Sequence, residues 1–172
     1  MKKIINGTET TIEPLKNLAR ADLREVDLAD ANLTGVYLGY GRLNDENLNR
    51  AILTGAFLMN AELVETNLGN SELIRAILNE AYLVNPILIG ANLSQANLAH
   101  VNLKGANLRT AILVGASLVK AELTGANLIN ADLTESTLTS TDLTGGNLKQ
   151  TTLTKAVMKG TNLRQADLSY FD

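Results

Sequence analysis

The chain has no cysteine, no tryptophan, a single histidine and two prolines. Without cysteine there is no disulfide framework, no thiolate metal ligand and no thiol nucleophile. One histidine, His100, excludes a multi-histidine metal cluster. Aromatic residues make up only 3%. A globular core normally uses more large rings to fill irregular gaps, whereas a core of many identical small positions does not need them. Long hydrophobic runs are missing too. The first nine residues contain an apolar stretch of two, Ile4-Ile5, which is no secretory signal. Nowhere does a run approach the ~18 apolar residues of a membrane span. No membrane association is expected, and the cytoplasm is the default location. Charge of one sign is scarce: the formal net charge is -3. A nucleic-acid binder would be basic, so direct nucleic-acid binding is not expected.

What is present is regular. The chain has 172 residues, 45% hydrophobic and 19% charged, enough for one domain with a core. Leucine stands at every fifth position from Leu18 to Leu168, 31 consecutive sites interrupted only by Met158. Two residues before each site is a second repeating position, alanine in 17 of 31 cases and Gly, Ser, Thr or Val in eleven more. Only Lys16, Glu46 and Pro86 break this small-residue rule. The residue between the two is Asn or Asp at 16 sites, and Ala91-Asn92-Leu93-Ser94-Gln95 shows the complete unit.

A period of five excludes the usual elements. In an α-helix, five residues turn the chain by ~500° and spread the leucines around the axis. In a continuous strand, odd spacing throws successive leucines onto opposite faces. The chain must therefore turn once per repeat so that each leucine points inward. Leucine and the small residue, two apart, share the inner side of a short extended segment. The remaining two residues form the corner, where eight of the 13 glycines fall. Glycine adopts φ > 0 at little cost. Asn47, Asn67, Asn107, Asn127 and Asn147 recur at multiples of 20, as do several corner glycines. A coil of four repeats would stack like on like and let amide ladders run along one face.

Residues 16 to 168 resemble the pentapeptide repeat family, whose motif is Ala-Asp/Asn-Leu-x-x. The resemblance implies an all-β fold: a right-handed quadrilateral β-helix with four repeats per coil and nearly eight coils. At the ~4.8 Å spacing of neighbouring strands the rod would be about 37 Å long. Lys16 puts the first repeat in question, and Glu46 and Pro86 suggest local distortion. Residues 1–15 lie outside the leucine register and are read as an N-terminal cap, with a hairpin about Asn6-Gly7. Residues 169–172 form a C-terminal tail, in which Tyr170 and Phe171 could fold over the end.

No residue pattern points to catalysis, a metal or a cofactor. His100 falls at a corner, on the surface, without a partner. Glu46 has a register position that points inward, and an unpaired buried carboxylate is costly. The backbone around Gly39-Tyr40-Gly41-Arg42 is therefore expected to bend, so that Glu46 reaches solvent or pairs with Arg42.

Two kinds of surface are candidates. Tyr37, Phe57 and Ile77 fall in one column, with Met59 beside them. A second apolar group, Ile74, Ile77, Tyr82, Val84, Ile87 and Ile89, rings one coil. Contiguous apolar surface marks contact sites. The side bearing Asp22, Glu25, Asp45, Glu62 and Glu65 is acidic, with a net of -3, and the side of Arg20, Lys120 and Lys159 is mildly basic. The expected function is a non-catalytic structural or protein-interaction scaffold. Its partner would be another protein, or a second copy meeting it through a coil end or an apolar surface. The alternative implied by the resemblance is a DNA-mimicking protein that binds and protects a topoisomerase such as gyrase. The small net charge, and the lack of a C-terminal dimerisation helix or a long projecting loop, weigh against it.

Overall fold

The computed structural model describes residues 2–5 and 7–169. Asn6, Tyr170 and Phe171 lie outside the described residues, and with them the first half of the turn pair and the proposed end cover. The chain opens with an antiparallel hairpin of β1 (Lys2–Ile5) and β2 (Thr8–Thr11), in which Lys2 faces Thr11 and Ile5 faces Thr8. Gly7, with φ of 77°, lies in the turn between them. Ile5 and Ile12 join the buried core.

From Asn17 onward the backbone winds into a β-helix. Parallel bridges pair the middle-position residues with those four repeats on, from Asn17–Tyr37 to Asn147–Asp167, with Asp27–Asn47 the one pair in that span that is not bridged. One turn of the coil is thus four repeats, and each middle-position residue lies directly above its counterpart. The leucines from Leu18 to Leu148 and their small partners are buried along the axis. In the last coil Leu153, Met158 and Leu163 are only partly covered, and Leu168 is exposed.

The five N–H groups of a repeat divide among distinct acceptors. The leucine N–H and the fifth-position N–H reach carbonyls on the next coil, as in Leu18 to Tyr37 and Arg20 to Gly39. The middle N–H reaches back to the previous coil, as in Tyr37 to Lys16. The small-residue N–H closes a turn on the leucine three before it, as in Ala21 to Leu18. That leaves the N–H just after leucine with no backbone acceptor. The Asn or Asp two residues earlier accepts it through its side-chain oxygen, as Asn92 does from Ser94 at 3.0 Å. All 16 Asn and Asp residues at the middle position, from Asn17 to Asp167, make this bond.

The residue pattern therefore has a local cause, and one expectation changes. Amide ladders do not line the asparagine face. Among the described residues, one Asn–Asn bond of that column is present, from Asn67 to Asn47 at 3.4 Å. The oxygens are already committed within their own repeats.

Each fifth-position residue from Leu15 to Gln165 has φ between 53° and 71°, whether or not it is glycine. Twenty-three of them are not. A left-handed conformation costs such a residue ~1–2 kcal/mol, and inter-coil bonds on both sides of the corner hold it there.

Lys16 and Pro86 disturb the ladder little. Leu18 and Tyr37 bond across the first repeat, and Asn107 donates to the Pro86 carbonyl at 3.0 Å. Pro86 lacks only the N–H that would have closed the turn on Leu83. Glu46 is different. It stays buried, 7% exposed, and turns its carboxylate onto the first coil, where it accepts the N–H groups of Glu25 and Val26. It neither escapes to solvent nor pairs with Arg42, whose guanidinium lies 3.3 Å from Asp22 and 3.5 Å from Glu62. Two backbone N–H groups, of exposed Glu25 and buried Val26, satisfy the carboxylate where it stands, so the chain need not expel it.

Candidate interaction surfaces

Stacking of coils places like side chains at the ~4.8 Å strand spacing. Tyr37, Phe57 and Ile77 are joined by successive parallel bridges, so the expected column exists. The rings of Tyr37 and Phe57 stack with centroids 4.5 Å apart and planes 2° from parallel. Tyr37 is 45% exposed and Met59 39%, while Phe57 and Ile77 are half-buried.

The second group is not arranged as a column. Tyr82, Ile87 and Ile89 are all exposed. Tyr82 is bridged to Glu62 and Asn102, and Ile87 to Asn67 and Asn107, so polar residues flank each along the axis.

Sequence reading missed Tyr40, which is 58% exposed with the Arg20 guanidinium 5.6 Å from its ring centre. The two stand at corner positions four repeats apart. The signal that revealed Tyr37 and Phe57 would have found them.

On the acidic side part of the charge is compensated. Asp22 holds Arg24 in a two-pronged pair, at 2.5 and 2.7 Å, with Arg42 3.3 Å away. The Arg24 hydrogen bonds depress its pKa to about 2. Glu62 lies 3.5 Å from Arg42 and accepts from the Asn44 amide at 3.1 Å. Further along, Glu122 pairs with Lys104 at 2.7 Å. Glu25 and Asp45 instead line a cleft of about 450 Å³ with Asp22, Arg24, Asn44 and Glu46. Among the described residues no group of three or more His, Asp or Glu is placed to hold a metal ion. No helix of the described chain is long and apolar enough to cross a membrane. His100 is exposed at a corner.

The family model for pentapeptide repeats matches residues 16–39, 42–79, 76–115, 102–139 and 131–169, in eight copies. The chain belongs to the pentapeptide repeat family. That membership, with a described chain free of helices, makes the fold a right-handed β-helix. No curated protein sequence matches the chain. Among solved structures, the pentapeptide repeat chain is similar to a trypsin-treated single-substitution form of QnrB1, a plasmid-mediated fluoroquinolone resistance protein. The TM-score is 0.62 at 20% identity, over 81% of this chain and 75% of that one. A second trypsin-treated form of QnrB1, with a different substitution, gives 0.54 at 18% identity, over 93% and 84%. HetL, a pentapeptide repeat protein involved in heterocyst differentiation regulation in the cyanobacterium Nostoc sp., is 26% identical over 90% of this chain and 85% of its own, with a TM-score of 0.32. At these identities the QnrB1 likeness shows a shared fold.

Proposed function

We propose that this pentapeptide repeat protein is a non-catalytic scaffold that binds another protein through the stacked Tyr37–Phe57 column. Pairing at intervals of four repeats, with a corner every fifth residue, supports a four-sided rod of nearly eight coils. Its axis is filled by leucine and alanine, which leaves the outer faces as the chemistry on offer. The observation that carries the reading is the pair of stacked rings, with exposed Met59 two residues from Phe57. Aromatic and methionine side chains are enriched at protein contacts, where rigid rings bury large area at little entropic cost. The partly covered last coil, with exposed Leu168, offers a second contact of the same kind. A topoisomerase-protecting role is the weaker reading, because the net charge is only -3 and ion pairs hold Asp22, Glu62 and Glu122 on the acidic side.

A photo-crosslinking residue at position 59, compared with one at Thr134, tests the surface in extract of the native cell. Discrete protein adducts from position 59 alone are expected. They should disappear when Tyr37 and Phe57 are both changed to Ser, with the rod still folded. Equal labelling from both positions, or adducts that survive the double change, would refute the assignment.

A further inference from the structure

Among the described residues, the fifth-position ladder from Leu15 to Gly145 is interrupted at one corner, between the first and second coils. At the other corners of that span the fifth-position N–H reaches a carbonyl on the next coil, as Asp45 does to Val64 and Glu65 to Val84. At the equivalent place Glu25 donates to the Glu46 carboxylate instead, and the Asn44 carbonyl receives no backbone N–H among the described residues. The matching bond from Asn47 to the Val26 carbonyl is missing too, and with it the bridge between Asp27 and Asn47. Both neighbouring bonds are intact, Leu23 to Arg42 and Leu28 to Asn47, each at 2.9 Å. One bulky side chain at a position built for alanine has thus opened a single corner. The cleft lined by Asp22, Arg24, Glu25, Asn44, Asp45 and Glu46 lies there.

We propose that Glu46 is an acid-sensitive latch on the first coil. Ionised, it is an acceptor only, and it can donate to neither of the carbonyls left without a backbone N–H at this corner, of Asn44 and Val26. Protonated, it carries an O–H that can bond one of those carbonyls while its other oxygen keeps an N–H of Glu25 or Val26. With the Val26 carbonyl as acceptor, the corner gains a bond between the coils that the ionised form cannot make. The first coil supplies Asp22, Arg24 and Glu25 around the latch. The second supplies Asp45 and Arg42, and the third Glu62 and Glu65. Arg24 and Arg42 are both held by Asp22, and Arg42 also by Glu62, so neither cation is turned to Glu46. Thr66, stacked above Glu46 in the same register, donates to the Leu43 carbonyl and does not compete. Burial foremost, with the negative charges of Asp45 and Glu25 adding to it, raises the Glu46 pKa above its ordinary 4.5, against the N–H bonds of Glu25 and Val26. A carboxyl whose folded pKa is raised binds its proton more tightly when folded. Stability at this corner is gained as pH falls through that raised value, and the gain is complete below the ordinary one.

The test is amide hydrogen exchange, corrected for intrinsic rates, on the full chain at pH 8 and at pH 4, below the ordinary Glu46 value of 4.5. Protection over residues 22–28 is expected to rise several-fold at the lower pH, with residues 113–128 unchanged. Glu46→Gln should show the acid level of protection at both pH values, and Asp45→Asn should keep the pH response. A response that persists in Glu46→Gln, or none in the wild type, would overturn the latch. A carbon-13 titration of the Glu46 carboxyl in the unmutated protein gives a check that needs no variant. A midpoint above the ordinary 4.5 is expected, and one at or below it sinks the proposal. Neither result bears on the Tyr37–Phe57 contact.

Discussion

Asn127 and Leu128 divide the tasks of one repeat: the leucine fills the axis, and the asparagine accepts the N–H of Ile129 at 3.2 Å, which no backbone carbonyl reaches. Changing Asn127 to Ala removes that acceptor from a half-buried donor and should cost about 1 kcal/mol. Chemical denaturation would register this as a lower midpoint. No loss would mean that water replaces the side chain freely. Ser136 presents the reverse case. Its hydroxyl is buried with no hydrogen-bond partner, whereas the threonines at equivalent positions, Thr141 and Thr151, donate to Leu118 and Leu128 at 2.6 and 2.8 Å. Ser71, a serine at an equivalent position, donates to the Leu68 carbonyl at 2.7 Å. Ser136→Ala should therefore raise stability, by about 1 kcal/mol, and a lower denaturation midpoint would show that the hydroxyl has a partner in solution.

At the scale of the repeat and the coil, much was legible from spacing alone. A strict five-residue interval cannot be buried by a helix or a continuous strand, so it dictated a corner per repeat, and the four-repeat interval in asparagine and glycine anticipated which residues pair. The same arithmetic placed Tyr37 over Phe57. What spacing could not show was how an exception is absorbed. Pro86 and Glu46 break the motif equally in the sequence, yet proline fits the small-residue position with the loss of one turn bond. Glutamate reaches across to the neighbouring coil and displaces two bonds. The difference lies in side-chain reach and in the local supply of N–H donors, which pattern does not record. It also sets up opposed responses to acid in the first two coils. The hydrogen bonds from Arg24, with the charge of Arg42 adding to them, hold the Asp22 pKa at about 2, so its contribution is present above the ordinary 3.8 and lost as pH falls toward 2. The Glu46 effect has the opposite sign and lies above 4.5. Protection of residues 22–28 should therefore pass through a maximum between these windows as pH is lowered. A monotonic fall from neutral pH downward would contradict that order.

The whole molecule is a stack in which each coil touches only its neighbours, so its stability is a sum of similar layers rather than the property of one centre. Such a rod, its axis filled, offers chiefly faces, and on them binding specificity comes from the few columns where apolar residues stack. Everything rests on residues four repeats apart being neighbours. The absence of cysteine from the chain allows a direct test. Ser117 and Thr137 are paired across adjacent coils, at the ~4.8 Å of parallel strands and within disulfide reach. Asn127 belongs to a different column. The Ser117→Cys, Thr137→Cys double variant is predicted to form an intramolecular disulfide readily on mild oxidation, while Ser117→Cys, Asn127→Cys is not. Ready bridging of 117 to 127, with none between 117 and 137, would contradict the stacked-coil account.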